Sequence, residues 1–160
     1  MSNHPCGGTT AMLYEWDFPS PFTLDIEVRQ SDIDGMGHAN NASYVVWCER
    51  CAWRHSESLG LSVQDYQRLD RGVAIQHAEY DYFLPSFIHD QLIAATWLVG
   101  CDGKLRLERR FQMVNRQTGT TVLRGSWRLV SVVLSTGKVT RLPPLFVDTY
   151  LPAVIENLTD

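Results

Sequence analysis

From Phe22 the chain alternates with a period of two: Phe22, Leu24, Ile26 and Val28 fall on one side, and Thr23, Asp25, Glu27 and Arg29 on the other. That pattern predicts a strand over 22–28 with one buried face. Residues 1–21 mix Gly, Pro, Ser and Thr with Trp16 and Phe18 in neither the strand nor the helix period, and read as an N-terminal arm, pinned in part by its aromatics, ahead of one domain over 22–160. Over 41–59 the period lengthens to 3.6. Tyr44, Val45, Cys48, Cys51, Ala52 and Leu59 share a stripe from which Glu49, Arg50, Arg54, Ser56 and Glu57 are excluded. Asn40 or Asn41 suits the start of this helix and Gly60 its stop. A short second helix fits 63–69, followed by strands at 73–82, 91–99, 104–115 and 120–134 and a short piece at 138–142.

The links Asp102-Gly103, Gln117-Thr118-Gly119 and Ser135-Thr136-Gly137 are short and contain glycine, as hairpins require. With no crossover helix between the later strands, a parallel doubly wound sheet is excluded. The pattern therefore predicts an α+β domain: an antiparallel sheet of five or six strands with one long helix against a face. Gly125, in the middle of the longest strand, is expected to mark a bulge or bend.

Composition narrows the class. A chain of 160 residues that is 44% hydrophobic can bury a single core unaided. Lys and Arg number 14 against 18 Asp and Glu, a formal charge of -4 without long like-charge runs, which argues against a nucleic-acid-binding face. Neither a signal-like start nor an apolar run of ~18 residues is present, so a cytoplasmic protein without membrane association is expected. Cys6, Cys48, Cys51 and Cys101 are too scattered for a disulfide framework and read as free thiols. Cys48 and Cys51 form a C-x-x-C inside a helical stripe, where core packing is the simpler reading than a metal or redox pair, and no metal site is expected.

The loop between the first strand and the long helix carries the densest chemistry. Asp32, Asp34, Gly35, Gly37, His38, Asn40 and Asn41 lie within ten residues. A helix start offers amide N–H groups without intrahelical partners and the positive end of the peptide dipoles, so a carboxylate held beside it can attack a carbonyl, or activate water towards it, while an N–H holds the oxygen. Asp34 and Asp32, the second choice because it lies nearer the strand end, both suit that role, and the residues alone do not fully separate them. Each also suits a plain turn acid. His38 fits a loop-pinning residue better than a site wall. Asn40 and Asn41 are first of all capping residues.

The run Arg29-Gln30-Ser31-Asp32-Ile33-Asp34-Gly35-Met36-Gly37-His38-Ala39-Asn40-Asn41-Ala42-Ser43-Tyr44 resembles the signature of hotdog-fold thioesterases of the 4-hydroxybenzoyl-CoA thioesterase type. Trp47-Cys48-Glu49-Arg50, then Tyr82-Phe83-Leu84-Pro85 with Asp90-Gln91-Leu92, and the hairpin Asn115-Arg116-Gln117-Thr118-Gly119 extend the resemblance in order across 22–144. It implies a hotdog fold, with the sheet wrapped around one central helix, and hydrolysis of an acyl thioester of CoA or acyl carrier protein. It places the functional carboxylate at Asp34 and the oxyanion amide at Asn41. It also makes Glu49 a candidate assisting acid, requires no cofactor beyond the CoA of the substrate, and implies a homodimer or homotetramer with sites between subunits.

Gly37, Tyr44, Tyr82, Lys104 and Arg106 complete the expected substrate contacts. The two cations would meet CoA phosphates, with Arg109 on the opposite strand face from Arg106 and Arg110. Tyr80, Tyr82, Phe83 and Trp97 suit either an acyl pocket or ordinary sheet packing. Two other activities remain open for the same scaffold: an acyl-thioester lyase (hydratase or dehydratase), and a non-catalytic acyl-thioester binder. A lyase would be expected to carry a His in an H-F-P-like loop, where this chain has Gly37-His38-Ala39-Asn40.

Overall fold

A computed structural model describes residues 14–156, and the periodicities foretell its elements in order as far as residue 134. They are β1 (Phe22–Glu27), α1 (Asn41–Ser58), α2 (Val63–Leu69), β2 (Arg71–Tyr82), β3 (Gln91–Cys101), β4 (Arg106–Asn115), β5 (Thr121–Val133) and α3 (Pro144–Tyr150). The five strands form one sheet in the order β1-β3-β4-β5-β2, and every pairing is antiparallel. The segment 138–142 does not become a strand. It makes only an isolated bridge, Val132 to Val139, because Leu142 turns into the core and Pro143 and Pro144 then open α3.

Helix α1 starts where a side chain can finish it. Asn40 has extended backbone, and its amide oxygen accepts the Ala42 N–H at 2.9 Å. The buried face of α1 is Tyr44, Trp47, Cys48, Cys51, Ala52 and Ser56, which matches the predicted stripe except that Trp47 and Ser56 join it and Val45 and Leu59 stand at its margin. It packs on the inner residues of the strands, among them Leu92, Ala94, Phe111, Met113, Leu123 and Trp127. The leucine, methionine and phenylalanine side chains among them each contribute about 1.5–3 kcal/mol on burial, and together they fix the helix across the sheet. A second cluster, Leu61, Tyr66, Leu98, Leu107, Leu142, Phe146 and Tyr150, closes the far end, under the last turn of α1.

Gly125 is not a bulge. Its register runs unbroken, opposite Tyr80 on one side and Phe111 on the other, and the irregularities lie at Ile75/His77, Leu98/Gly100 and Met113/Val114 instead. A Cβ at Gly125 would stand 3.1 Å from the Tyr80 ring, so glycine is there to let that ring lie flat on the strand.

The described part of the arm covers the part of the sheet's outer face around Trp97 and Gln112, while Arg106, Glu108 and Arg110 stay exposed. The Trp97 indole donates to the Pro19 carbonyl at 3.0 Å, and the Gln112 amide bridges the Asp17 N–H and the Glu15 carbonyl. Asp17 takes both ends of the Arg124 guanidinium at 2.7 and 2.9 Å. Trp97 is therefore a covered outer-face residue and has no part in an inner pocket.

Candidate active site

The chain leaves β1 through a single 3-10 turn at Gln30–Asp32, whose last residue returns its carboxylate to the Arg29 N–H at 2.9 Å. Asp32 also accepts the Asn40 N–H on its carbonyl at 2.7 Å, which ties the loop entry to the helix start. The loop is then pinched into a narrow turn. Ile33 bridges Ala39, the Asp34 N–H donates to the His38 carbonyl, and the Gly37 N–H donates to the Asp34 carbonyl. Gly37 has φ +79°, which few side chains tolerate, whereas Gly35 keeps a negative φ, so only one of the two glycines is required by the turn.

Within this turn Asp34 is half-buried. Its Oδ1 accepts the Met36 N–H at 2.9 Å, and its Oδ2 has no hydrogen-bond partner among the described residues. One oxygen is thus anchored while the other is unengaged. At the helix start Asn40 takes the Ala42 N–H with its side chain and the Ser43 N–H with its carbonyl. The Asn41 N–H has no acceptor among the described residues, the vacancy that a helix's first residue is built with.

A second loop, 83–90, backs this turn. The Ala39 N–H donates to the Ser86 carbonyl at 2.8 Å, the Tyr44 hydroxyl donates to the fully buried Ser86 Oγ at 2.9 Å, and His38 meets the edge of Phe87 at 5.3 Å between centroids. His38 and Tyr44 are thereby spent on holding the loop. Tyr44 stands in the core, not on a substrate-facing surface, and burial raises its pKa. Ser86 and Phe87 had no sequence signal, since their importance lies in which loop they meet. Tyr82 reaches the helix start, donating to the Asn41 carbonyl at 3.3 Å. Met36, Val46, Phe83, Leu84, Phe87 and Ile88 expose apolar surface around this end, and Met36 is 78% exposed.

Two expected contacts are not brought here. Lys104 lies in the β3–β4 turn, where its N–H joins those of Leu105 and Arg106 on the Asp102 carboxylate, and Arg106 begins β4. Asp34 follows the end of β1 that pairs with Gln91, beside the Asn115 end of β4. Within one chain the full length of β4, roughly 30 Å, separates the two groups.

Beneath α1 a cavity of about 270 Å³ runs from Glu49 and Ile75 at its rim to Arg109 and Tyr150. Glu49 is exposed, two turns along the helix from Asn41. The aromatic lining is Trp53, Tyr66, Trp127 and Tyr150. Of the aromatics considered from sequence, Tyr80 packs on Gly125 and its hydroxyl accepts the Trp127 indole N–H at 2.7 Å, and Tyr82 and Phe83 stay at the Asp34 end. Cys48 and Cys51 are fully buried free thiols of the core, and burial pushes Cys51 up to about 12 and Cys48 higher still. Among the described residues no group of His, Cys, Asp and Glu is arranged to hold a metal, and no helix is long and apolar enough to cross a membrane.

Comparison with known proteins agrees with this architecture. The model of the thioesterase-like superfamily matches residues 28–149. No curated protein sequence matches significantly. Among solved structures, a 1,4-dihydroxy-2-naphthoyl-CoA thioesterase from Synechocystis superposes with TM-score 0.74 at 20% identity, covering 88% of this chain and all of that one. A DHNA-CoA thioesterase from Staphylococcus aureus gives 0.73 at 23%, covering 80% and 85%. A Staphylococcus aureus protein solved in complex with CoA gives 0.76 at 18%, covering 88% and 90%. With the antiparallel five-stranded sheet, the long helix and the family match over most of its length, the chain belongs to the thioesterase-like superfamily and has the hotdog fold.

Proposed function

We propose that the protein is an acyl-CoA thioesterase working as a homodimer. Asp34 serves as nucleophile or general base, and the Asn41 N–H as oxyanion donor. The observation that carries the reading is the pairing of one unengaged carboxylate oxygen with one unengaged helix-start amide at the two ends of the same pinched turn. As general base, Asp34 takes a proton from water as its oxygen bonds to the thioester carbon. The oxyanion then rests on the Asn41 N–H, and collapse expels the CoA thiolate, which receives the proton. Asp32, with its carboxylate closing the preceding turn, is the positioning acid.

The dimer follows from the sheet. β2 is a twelve-residue strand with one edge unpaired, and it exposes Ile75 and Tyr82. Two copies pairing antiparallel along this edge about a two-fold axis set the Tyr82 end of one against the Arg71 end of the other. The Asp34 end of each protomer then lies beside the partner's cavity mouth at Glu49, and the partner's end of the sheet that carries Lys104 and Arg106 turns towards it. This supports a composite site in which those cations meet CoA phosphates and the acyl group enters the cavity across the interface. The solved relative that holds CoA supports CoA as the carrier.

A thiol-release screen across acyl-CoA chain lengths tests the activity. Asp34→Asn is expected to lower turnover by about 10²–10⁴-fold, and Asp32→Asn to keep most of it. Near wild-type turnover by Asp34→Asn, or a change in the acyl group without thiol release, would overturn the assignment. Light scattering should give at least twice the chain mass, and a strict monomer would remove the composite site.

A further inference from the structure

The inner end of the cavity holds a cation that no described residue neutralises. Arg109 sits between Leu107 and Phe111 on the inward side of β4 and is only 4% exposed. Its Nη1 donates to His55 Nδ1 at 2.9 Å and to Thr96 Oγ1 at 3.2 Å. No carboxylate lies in ion-pair contact with it among the described residues, and its Nε and Nη2 hydrogens have no acceptor there. Those two nitrogens are not among the fully enclosed unpartnered atoms, so they open on the cavity, and a guanidinium withdrawn this far from bulk water without a carboxylate is costly unless an anion meets it there. His55 does not share the charge: burial, and then the Arg109 charge, lower its pKa to about 4, so the imidazole is neutral and accepts.

Beside the guanidinium three hydroxyls form a chain. Tyr150 lies 3.0 Å from Ser56 Oγ and in hydrogen-bond contact with the Tyr66 hydroxyl. Three hydroxyls own three hydrogens and two are consumed within the chain, which leaves one donor without a partner among the described residues. Both faces of this corner therefore offer hydrogen-bond donors, on a cation and on neutral hydroxyls, while the rest of the wall is apolar: Ala52, Trp53, Val73, Leu98 and Leu129. A purely hydrocarbon acyl chain would satisfy none of these donors.

We propose that this corner binds a carboxylate at the far end of the acyl group, so that the preferred substrates are thioesters of dicarboxylic acids. The arrangement is an apolar tube with a charge-reading floor. Its apolar wall takes the methylene or ring portion, and the Arg109 fork takes the two carboxylate oxygens with the free hydroxyl as a further donor. This rests on the thioesterase reading, since the cavity is taken as the acyl pocket.

The test separates binding from turnover. Adipoyl-CoA and hexanoyl-CoA match in length and differ in the terminal carboxylate. Wild-type kcat/KM is expected to favour adipoyl-CoA by on the order of 10- to 100-fold, with Arg109→Gln abolishing the preference, Arg109→Lys retaining part of it and Tyr150→Phe reducing it. In parallel, hexanoate and hexanamide are titrated against the fluorescence of Trp53 and Trp127, which line the cavity. Hexanoate should bind to the wild type and not to Arg109→Gln, and hexanamide should bind to neither. Equal or better turnover of hexanoyl-CoA by the wild type, or a preference that survives Arg109→Gln, overturns the proposal. If no acyl-CoA releases thiol, the hydrolase reading fails, and the hexanoate comparison alone decides the anion site. If Arg109→Gln does not fold, the wild-type preference and Tyr150→Phe carry the decision.

Discussion

Lowering the pH from 7 towards 4 should unlatch the inner end of the cavity, and the size of the effect follows from His55. Its ring stacks on Phe22 at 5.1 Å and accepts from Arg109, so a proton on it would place two cations in contact under a helix. Burial first, and the Arg109 charge second, lower its pKa from 6.5 to about 4. The unfolded chain takes up a proton near pH 6.5 while the folded chain refuses it until about pH 4. Between those values the unfolded state binds more protons, and stability falls as pH falls. It is at full value above about pH 6.5 and is lost progressively down to about pH 4. At 1.36 kcal/mol per unit the drop corresponds to at most about 3 kcal/mol, and the ring's partial solvent access lowers the expectation to about 2 kcal/mol. Urea titrations between pH 4.5 and 7 should show the midpoint fall by about 1 M at constant slope, given about 2 kcal/mol per molar. His55→Gln keeps an acceptor for Arg109 but cannot titrate, so its midpoint should fall by distinctly less. Identical pH dependence in the two proteins would refute the assignment.

Two further expectations can be checked on the purified protein. Gly125→Ala places a methyl 3.1 Å from the Tyr80 ring and 3.5 Å from the Glu79 carbonyl, and should cost about 1–3 kcal/mol in chemical denaturation, with Gly125→Val costing more. Cys48 and Cys51, buried and held protonated, should stay unreactive towards a disulfide reagent at pH 8 in the native state and react fully in denaturant, while partly exposed Cys101 reacts before either of them; Cys6 lies outside the described residues.

Much of the architecture was legible because it rests on local rules. Alternation found β1 and the later strands, the 3.6 period found α1, and the pair Asn40 and Asn41 with Gly60 marked its ends to within a residue or so. Glycine-bearing links and the lack of crossover helices made the sheet antiparallel. The loop of Asp32, Asp34 and Gly37 was visible for the same reason, since turn chemistry is written in consecutive residues.

What the sequence alone left undecided is everything that depends on which distant segments meet. Alternation put Arg109 opposite Arg106, but only the packing of α1, α2 and α3 makes the inward side a closed one and turns a surface cation into a buried one. Ser56 looked like a polar edge of α1 until Tyr150, 94 residues away and on a helix that no periodicity announced, covered it. Gly125 reads locally as a bulge or bend, yet what requires a glycine there is the Tyr80 ring on the neighbouring strand. Local patterns are set by the geometry of one residue to its near neighbours, so the chain carries them openly. A cavity, its charge and its free hydrogen-bond donors are sums over elements far apart in sequence, and they exist only once those elements are packed.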